Sequence, residues 1–231
     1  MATIKLKVKQ PDEPYARIDG SAYRHIYAVG DVHGCKAKLL KQLEEIEFDR
    51  EQDLLIGVGD LIDRGPDSVG MLGMLDEPWF RTVRGNHEDL ASAACEQIHE
   101  DAVALWLHNG GTWILNCDVG EIRNNVMRQL EATTQLPFVI EVNVDGELYV
   151  IAHACYPYSE YKYGQPIDGF KVTWDRDRYL MRKCGEFFHT KGAKLFIHGH
   201  NHTDEVETYG NHVYIATGAY GDKPLTLYKI K

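Results

Sequence analysis

Short apolar runs alternate with helical patterns along the first half of the chain. Apolar residues at helical spacing predict helices at about 35–47, near 67–75, from Glu88 to Asn109 and at 121–132. Between them, buried strands are predicted at 25–30, 53–58 and 80–84. The helix that begins near Glu88 is expected to end at Asn109-Gly110-Gly111, a natural terminator. The order is therefore β-α-β-α-β-α.

The pattern changes in the second half, which is mostly β. Residues 138–153 read as two strands joined by Asp145-Gly146, a strong hairpin signal, and further strands are predicted near 194–198, 205–208, 212–217 and 224–229. Because no repeat or linker divides the halves, we predict one domain over residues 1–231 with a polar entry segment at 1–22. The expected fold class is α/β (α+β), with two packed mixed β-sheets, a β-sandwich, flanked by helices.

Metal-binding side chains follow five of the apolar runs, just beyond the point where each strand ends. They are Asp31, His33, Asp60, Asn86, His153 and His200. Open α/β sheets place their chemistry at this edge. A single histidine of this kind is more often structural, but five segments with the same arrangement make coincidence improbable. The sequence therefore predicts one metal centre at the strand ends.

The ligand types narrow the choice of metal. Mixed carboxylate, amide and imidazole ligands suit divalent transition metals such as Mn, Fe or Zn, and the absence of a thiolate argues against a structural zinc site. Asp60 could bridge two cations, because each of its oxygens can face one, and His153 and His200 would complete the ligand shell of the second cation. Of the neighbours Asn86 and His87, one could bind metal while the other reaches the substrate.

Composition limits the setting of this chemistry. A net charge of −10 makes the chain a poor generic binder of nucleic acid. Five cysteines without a C-x-x-C pair favour a reducing cytoplasm, and the polar start lacks the apolar core of a secretory signal. No apolar run approaches the roughly 20 residues that cross a bilayer. We therefore expect a cytoplasmic protein with neither a membrane nor a nucleic-acid partner.

The motifs G-D-x-H-G (30–34), G-D-x-x-D-R-G (59–65) and G-N-H-E (85–88) resemble those of the calcineurin-like metallophosphoesterases of the phosphoprotein phosphatase type. Within that family the chain is most similar to the small bacterial and phage serine/threonine protein phosphatases, and the likeness runs from Ile18 to the C-terminus. The resemblance implies the metallophosphoesterase fold and two divalent metal ions, Mn²⁺ first and Fe, Zn or Ni as alternatives. It assigns one ion to Asp31, His33 and Asp60, and the other to Asp60, Asn86, His153 and His200.

The same resemblance implies how the reaction would proceed. A hydroxide held between the ions would attack phosphorus directly, His87 would protonate the leaving group, and Asp63 would orient His87. The residues expected to grip phosphate are Arg64, Arg84 and Arg176, with Arg178 in place of Arg176 if the register differs. His202 departs from the phosphatase pattern, and both readings of it stay open, as a further metal ligand or as a solvated loop residue.

The implied function is that of a metal-dependent serine/threonine protein phosphatase acting on a phosphorylated protein or peptide. A dinucleoside polyphosphate hydrolase, a broad-specificity phosphodiesterase and a silent partner-binding module are the alternatives. The residues Asp63 and Arg84 argue against the first of these by the same resemblance. The four tryptophans are interpreted as core or groove-wall residues: Trp79, Trp106, Trp113 and Trp174.

Overall fold

The computed structural model describes residue 6 and residues 8–96, 100–117, 120–186 and 189–231. Its strands are β1 (Tyr15–Asp19), β2 (Ile26–Val29), β3 (Leu54–Gly57), β4 (Phe80–Thr82), β5 (Val139–Val144), β6 (Glu147–Ala152), β7 (Leu195–His198), β8 (Glu207–Tyr209), β9 (His212–Tyr214) and β10 (Leu227–Lys229). Its helices are α1 (Lys36–Glu45), α2 (Ser68–Leu72), α3 (Asn86–Cys95), α4 (Glu100–His108), α5 (Glu121–Thr133), α6 (Gly169–Trp174) and α7 (Asp177–Lys183). Short 3₁₀ helices cover Gly20–Ala22, Gly73–Asp76 and Gly111–Asn116.

The strands form two mixed sheets. The larger has the order β1-β5-β6-β7-β9-β8 and the smaller β10-β2-β3-β4. In the smaller sheet β2, β3 and β4 are parallel, and in the larger β6, β7 and β9 are parallel. This confirms the predicted fold class of two packed sheets flanked by helices.

The smaller sheet is packed on both faces, by the larger sheet on one and by helices on the other. Successive side chains of a strand point to opposite faces, so alternate residues of β2 belong to different apolar clusters. Ile26 and Ala28 of β2 pack between the sheets in one cluster with residues of the larger sheet such as Ile151. Tyr27 and Val29, the alternate positions, face the other way and pack in a cluster that contains apolar residues of the helices, such as Leu39 and Leu43 of α1 and Leu90 of α3. A strand buried on both faces reads as a continuous apolar run, which is why β2 and β3 are recognisable from the sequence.

The ends of the chain depart from the predicted layout. Residues 15–19 of the expected polar entry segment form β1, which pairs in parallel with β5, so this part of the segment belongs to the larger sheet. Residues 1–5 and 7 lie outside the described part. The last strand, β10, joins the first-half sheet beside β2, so the halves of the sequence do not map onto separate sheets.

Two further differences concern helices and turns. The long helix expected from Glu88 is described as α3 and α4 on either side of residues 97–99, which lie outside the described residues. The short helices α6 and α7 were not predicted, because six or seven residues carry too little periodicity. The Asp145-Gly146 turn is confirmed, and both residues have the positive φ, 53° and 85°, that a tight hairpin needs. Within the described residues, no helix is long and apolar enough to span a bilayer.

Candidate active site

The carboxyl ends of parallel strands from both sheets meet at one edge of the molecule. Asp31 and His33 follow β2, Asp60 follows β3, and Asn86 opens α3 after β4. From the larger sheet, His153 follows β6 and His200 follows β7. The predicted ligand set therefore comes from both sheets.

Two compact groups of metal-binding atoms lie at this edge, and Asp60 belongs to both. His33, Asp60 and His87 form one group, and Asp60, His153 and His200 form the other, with the ligand atoms of each group within 4.8 Å of one another. Asn86 joins the second group, since its Oδ1 lies 3.0 Å from His153 Nε2 and 2.7 Å from His200 Nδ1.

The hydrogen bonds behind these rings decide which nitrogens face the centre. The Nδ1 atoms of His33 and His153 lie 2.9 and 2.7 Å from the carbonyl oxygens of Ile62 and Val58. A carbonyl only accepts, so each Nδ1 carries a proton, and Nε2 is the nitrogen of each ring that faces Asp60. His153 Nε2 lies 3.3 Å from Asp60 Oδ1, and His33 Nε2 lies 3.7 Å from Asp60 Oδ2.

Acceptor atoms that converge in a buried space favour a cation between them. Burial disfavours a charged imidazole, yet the carboxylates of Asp60 and Asp31 outweigh it and raise the pKa of His153 to about 10. Burial, with the charge of Asp60, raises the pKa of Asp31 to about 7. Burial lowers the pKa of His33 to about 3, which keeps that ring a neutral donor of a lone pair. The residues present therefore fit divalent cations.

Two predicted ligands stand apart from these groups. Asp31 accepts the backbone N–H of His200 at 3.0 Å, which ties the ends of β2 and β7 together, and it lies outside both compact groups. His202 is exposed and lines the cavity above the centre, where it is also outside both groups. His87, which is predicted as an acid and not as a ligand, is also a member of the first group.

His87 and Asp63 form a buried pair beside the centre. His87 Nδ1 lies 2.6 Å from Asp63 Oδ2, and both side chains are at most 1% exposed. This contact is the one that the predicted orienting role of Asp63 requires. Burial opposes a positive charge on His87, but Asp60 and Asp63 outweigh it and raise its pKa.

A cavity of about 280 Å³ opens above these residues, with Asp60, Asn86 and His200 in its lining. Two of the predicted phosphate-binding arginines line it. Arg64 Nη1 donates to His33 Nε2 at 2.7 Å, and Arg176 Nε donates to His200 Nε2 at 3.2 Å. Arg178, the alternative to Arg176, donates instead to the carbonyl of Pro157.

Arg84 does not reach the cavity. It is 2% exposed, and its three nitrogens donate to Asp89 Oδ1 at 2.7 Å, the Thr134 carbonyl at 2.7 Å and the Lys9 carbonyl at 2.6 Å. This differs from the expected role of Arg84 as a phosphate ligand, because its three nitrogens are taken by these partners and it does not line the cavity.

Replacement of Arg84 with methionine is expected to lower the free energy of unfolding by about 3–5 kcal/mol, because it leaves the Asp89 carboxylate buried without its cation. Urea denaturation measures this loss. Arg81→Met, an exposed position on β4, the strand just before Arg84, is the control and should change stability little. If Arg84→Met leaves the free energy of unfolding unchanged but raises the KM for a phosphorylated substrate, Arg84 would again be assigned to phosphate binding.

Glu88 holds the strand ends together and was not singled out by sequence reasoning. Fully buried, it accepts the backbone N–H groups of Gly85, Asp60 and Leu61 at 2.8–3.0 Å. Burial, with the charge of Asp60, raises its pKa to about 7. Glu88 is the third residue of α3, the position at which a glutamate side chain accepts the backbone N–H of the residue before the helix. The G-N-H-E motif therefore already indicated a capping role for Glu88.

The backbone at this edge is strained. In the described part of the chain, seven residues other than glycine have positive φ, and five of them lie in or beside the centre: His33, Asp60, Asp63, Arg64 and His200. Such conformations cluster where surrounding structure forces side chains into a functional arrangement.

Comparison with known proteins bears on this arrangement. A model of the calcineurin-like phosphoesterase family matches residues 24–204. The chain is 40% identical over 221 residues to serine/threonine-protein phosphatase 2 of Escherichia coli strain K12, covering 96% of this chain and 100% of that protein. A shorter match is to the symmetrical bis(5'-nucleosyl)-tetraphosphatase of Methylococcus capsulatus, with 47% identity over 73 residues, which cover 30% of this chain and 26% of that protein. A solved structure provisionally described as a diadenosine tetraphosphatase superposes with a TM-score of 0.67 at 20% identity, covering 94% of each chain.

Proposed function

The chain belongs to the calcineurin-like phosphoesterase family, and from that premise we propose that it is a metal-dependent serine/threonine protein phosphatase. The observation that carries the proposal is the meeting of three features in one place. These are converging acceptor atoms that fit cations, the buried His87–Asp63 pair beside them, and two arginines in the wall of the cavity above them. A site that cleaves a phosphomonoester needs positive charge for the phosphate oxygens and an acid for the leaving group.

The residues that would hold the cations are those around the shared Asp60: His33, Asn86, His153 and His200, with Asp31 and His202 proposed as further ligands. When bound, two divalent ions, of which Mn²⁺ is the first candidate, would supply charge to the phosphate oxygens and make a water molecule more acidic.

The protein's own groups account for the remaining requirements. Arg64 and Arg176 present planar donor sets to the cavity, which match phosphate oxygens. With Nδ1 bound to Asp63, His87 has Nε2 as its remaining nitrogen, and we assign to this atom the proton that goes to the leaving oxygen. Asp63 fixes the ring in that orientation.

The substrate class is supported by the extent of similarity. Relatives that match along nearly their whole length are serine/threonine-protein phosphatases, whereas the match to the nucleosyl-tetraphosphatase covers about a quarter of that protein. Phosphorylated protein or peptide is therefore the proposed substrate. The odd cysteine count supports a cytoplasmic setting.

A dinucleoside polyphosphate hydrolase is the second candidate, favoured by the local identity with the nucleosyl-tetraphosphatase. One panel of substrates distinguishes the two: a phosphothreonine peptide, a phosphotyrosine peptide, diadenosine tetraphosphate and bis-p-nitrophenyl phosphate, each with Mn²⁺, Fe²⁺, Zn²⁺ or Ni²⁺. We expect the largest kcat/KM for the phosphothreonine peptide, loss of all turnover after chelation, and recovery with Mn²⁺. Faster cleavage of diadenosine tetraphosphate than of every peptide would reverse the assignment.

A further inference from the structure

Two tryptophans point their indole N–H groups at the carboxylate beside His87. Trp106 Nε1 lies 3.0 Å from both Asp63 oxygens, and Trp113 Nε1 lies 2.7 Å from Asp63 Oδ1. His87 Nδ1 takes the other oxygen, Oδ2, at 2.6 Å. Three N–H groups therefore surround one carboxylate that is 0% exposed.

These contacts fix the polarity of the His87–Asp63 pair. An indole nitrogen can only donate, so Asp63 must accept from both tryptophans. Hydrogen bonds from two indole N–H groups stabilise a carboxylate more than a neutral carboxyl group. We therefore place the proton between the two residues on His87 Nδ1, which leaves Nε2 as the nitrogen that exchanges protons.

The same contacts fix the orientation of the carboxylate. Trp106 is on α4 and Trp113 is in the following 3₁₀ helix, so the two indoles reach Asp63 from different elements. Their rings meet edge to face, with centroids 5.9 Å apart and planes at 87°. A Cβ atom on Gly111 would lie 2.5 Å from Trp106 Nε1, so the first residue of the 3₁₀ helix packs directly against the first indole.

We propose that Trp106 and Trp113 are positioning residues for catalysis, which hold Asp63 so that His87 presents its Nε2 proton to the leaving oxygen. This rests on the proposed function. Core packing alone does not account for the geometry, since a buried tryptophan needs one acceptor for its N–H and two here share the same carboxylate. Neither residue is expected to touch the substrate.

The test uses Trp106→Phe, Trp113→Phe and the double variant in the full-length protein loaded with Mn²⁺. Phenylalanine keeps an aromatic ring and removes the N–H. We expect kcat on a phosphothreonine peptide to fall about 10-fold in each single variant and about 100-fold in the double variant. Turnover of p-nitrophenyl phosphate should fall much less, because its leaving group needs little protonation. The control is Trp79→Phe. Trp79 is a buried tryptophan outside the site, and its N–H donates to Glu77 at 2.8 Å, so kcat of this variant should match that of the wild type.

A second comparison separates positioning from general damage. In a His87→Asn background, the double tryptophan change should lower turnover of the phosphothreonine peptide by less than about 2-fold, against about 100-fold in the wild-type background, because residues that act through His87 have nothing left to act on. An equal loss in both backgrounds, or an equal loss for both substrates, would overturn the proposal. If the double variant does not fold, the half-buried Trp113→Phe carries the same comparison.

A readout without activity separates this proposal from the function itself. In long-range ¹H–¹⁵N spectra of the histidine rings, the signal that disappears in His87→Asn should report a proton on Nδ1, and its exchange with water should accelerate in Trp113→Phe. Unchanged exchange there would refute the positioning role. If the wild-type protein hydrolyses no phosphomonoester with any metal, yet the exchange of this proton is faster in Trp113→Phe than in the wild type, only the phosphatase assignment would be refuted.

Discussion

Replacement of His87 with asparagine is expected to lower kcat on a phosphothreonine peptide by about 10²–10⁴-fold, the usual contribution of a positioned acid. The ring is bound to Asp63 through Nδ1, so the variant removes Nε2, the ring nitrogen to which we assign the proton for the leaving oxygen. Steady-state kinetics measures the change, and elemental analysis of the purified variant measures its metal content. We expect metal content near that of the wild type.

The leaving group provides the internal control for this variant. If His87 donates a proton to the departing oxygen, the loss should be largest for alkyl phosphates and smallest for p-nitrophenyl phosphate. His87 also belongs to the compact group with His33 and Asp60. A variant that loses bound metal together with activity on every substrate would instead identify His87 as a ligand, and the acid role would be wrong.

Replacement of Asp60 with asparagine is expected to abolish activity, because Asp60 is the residue shared by both compact groups. Loss of several kcal/mol of transition-state stabilisation corresponds to a fall in kcat of about 10³-fold or more. Elemental analysis should show fewer bound ions per chain than in the wild type. Retention of full metal content and turnover would contradict the placement of Asp60 at the centre.

The strand that carries Asp60 offers a matched control at its other end. Asp53 precedes β3, is 2% exposed and pairs with Arg24 at 2.6 Å, far from any predicted ligand. Asp53→Asn removes a buried carboxylate in the same way and should reduce stability, while metal content and kcat per folded molecule stay unchanged. The contrast between the two variants separates loss of the centre from loss of a buried charge.

The centre could be predicted from the sequence because its ligands follow strands. An apolar run marks a buried strand, and the polar residue after it must emerge at the sheet edge, so Asp60, His153 and His200 are placed by local pattern alone. Which strands lie in which sheet is a long-range property, and β1 and β10 could not be assigned from their own residues. The short helices α6 and α7 were missed for lack of periodicity.

Side-chain partners were harder to predict than strand ends. Arg84 directly precedes the G-N-H-E motif, yet its side chain pairs with Asp89 and does not line the cavity. The local sequence does not indicate which of these partners the side chain will contact. Trp106 and Trp113 have a typical core composition, but the acceptor they share lies 43 and 50 residues away along the chain. A hydrogen bond of this kind is visible only once α4 packs over the loop that follows β3.

The strained residues have a consequence for protein engineering. Left-handed backbone favours glycine or asparagine, so at His33, Asp60 and His200 those residues would relieve conformational cost and remove buried titratable groups at the same time. A library of this protein screened for heat resistance alone would therefore enrich changes at its ligand positions. The most thermotolerant clones would be the inactive ones, and any such screen needs turnover as a second filter.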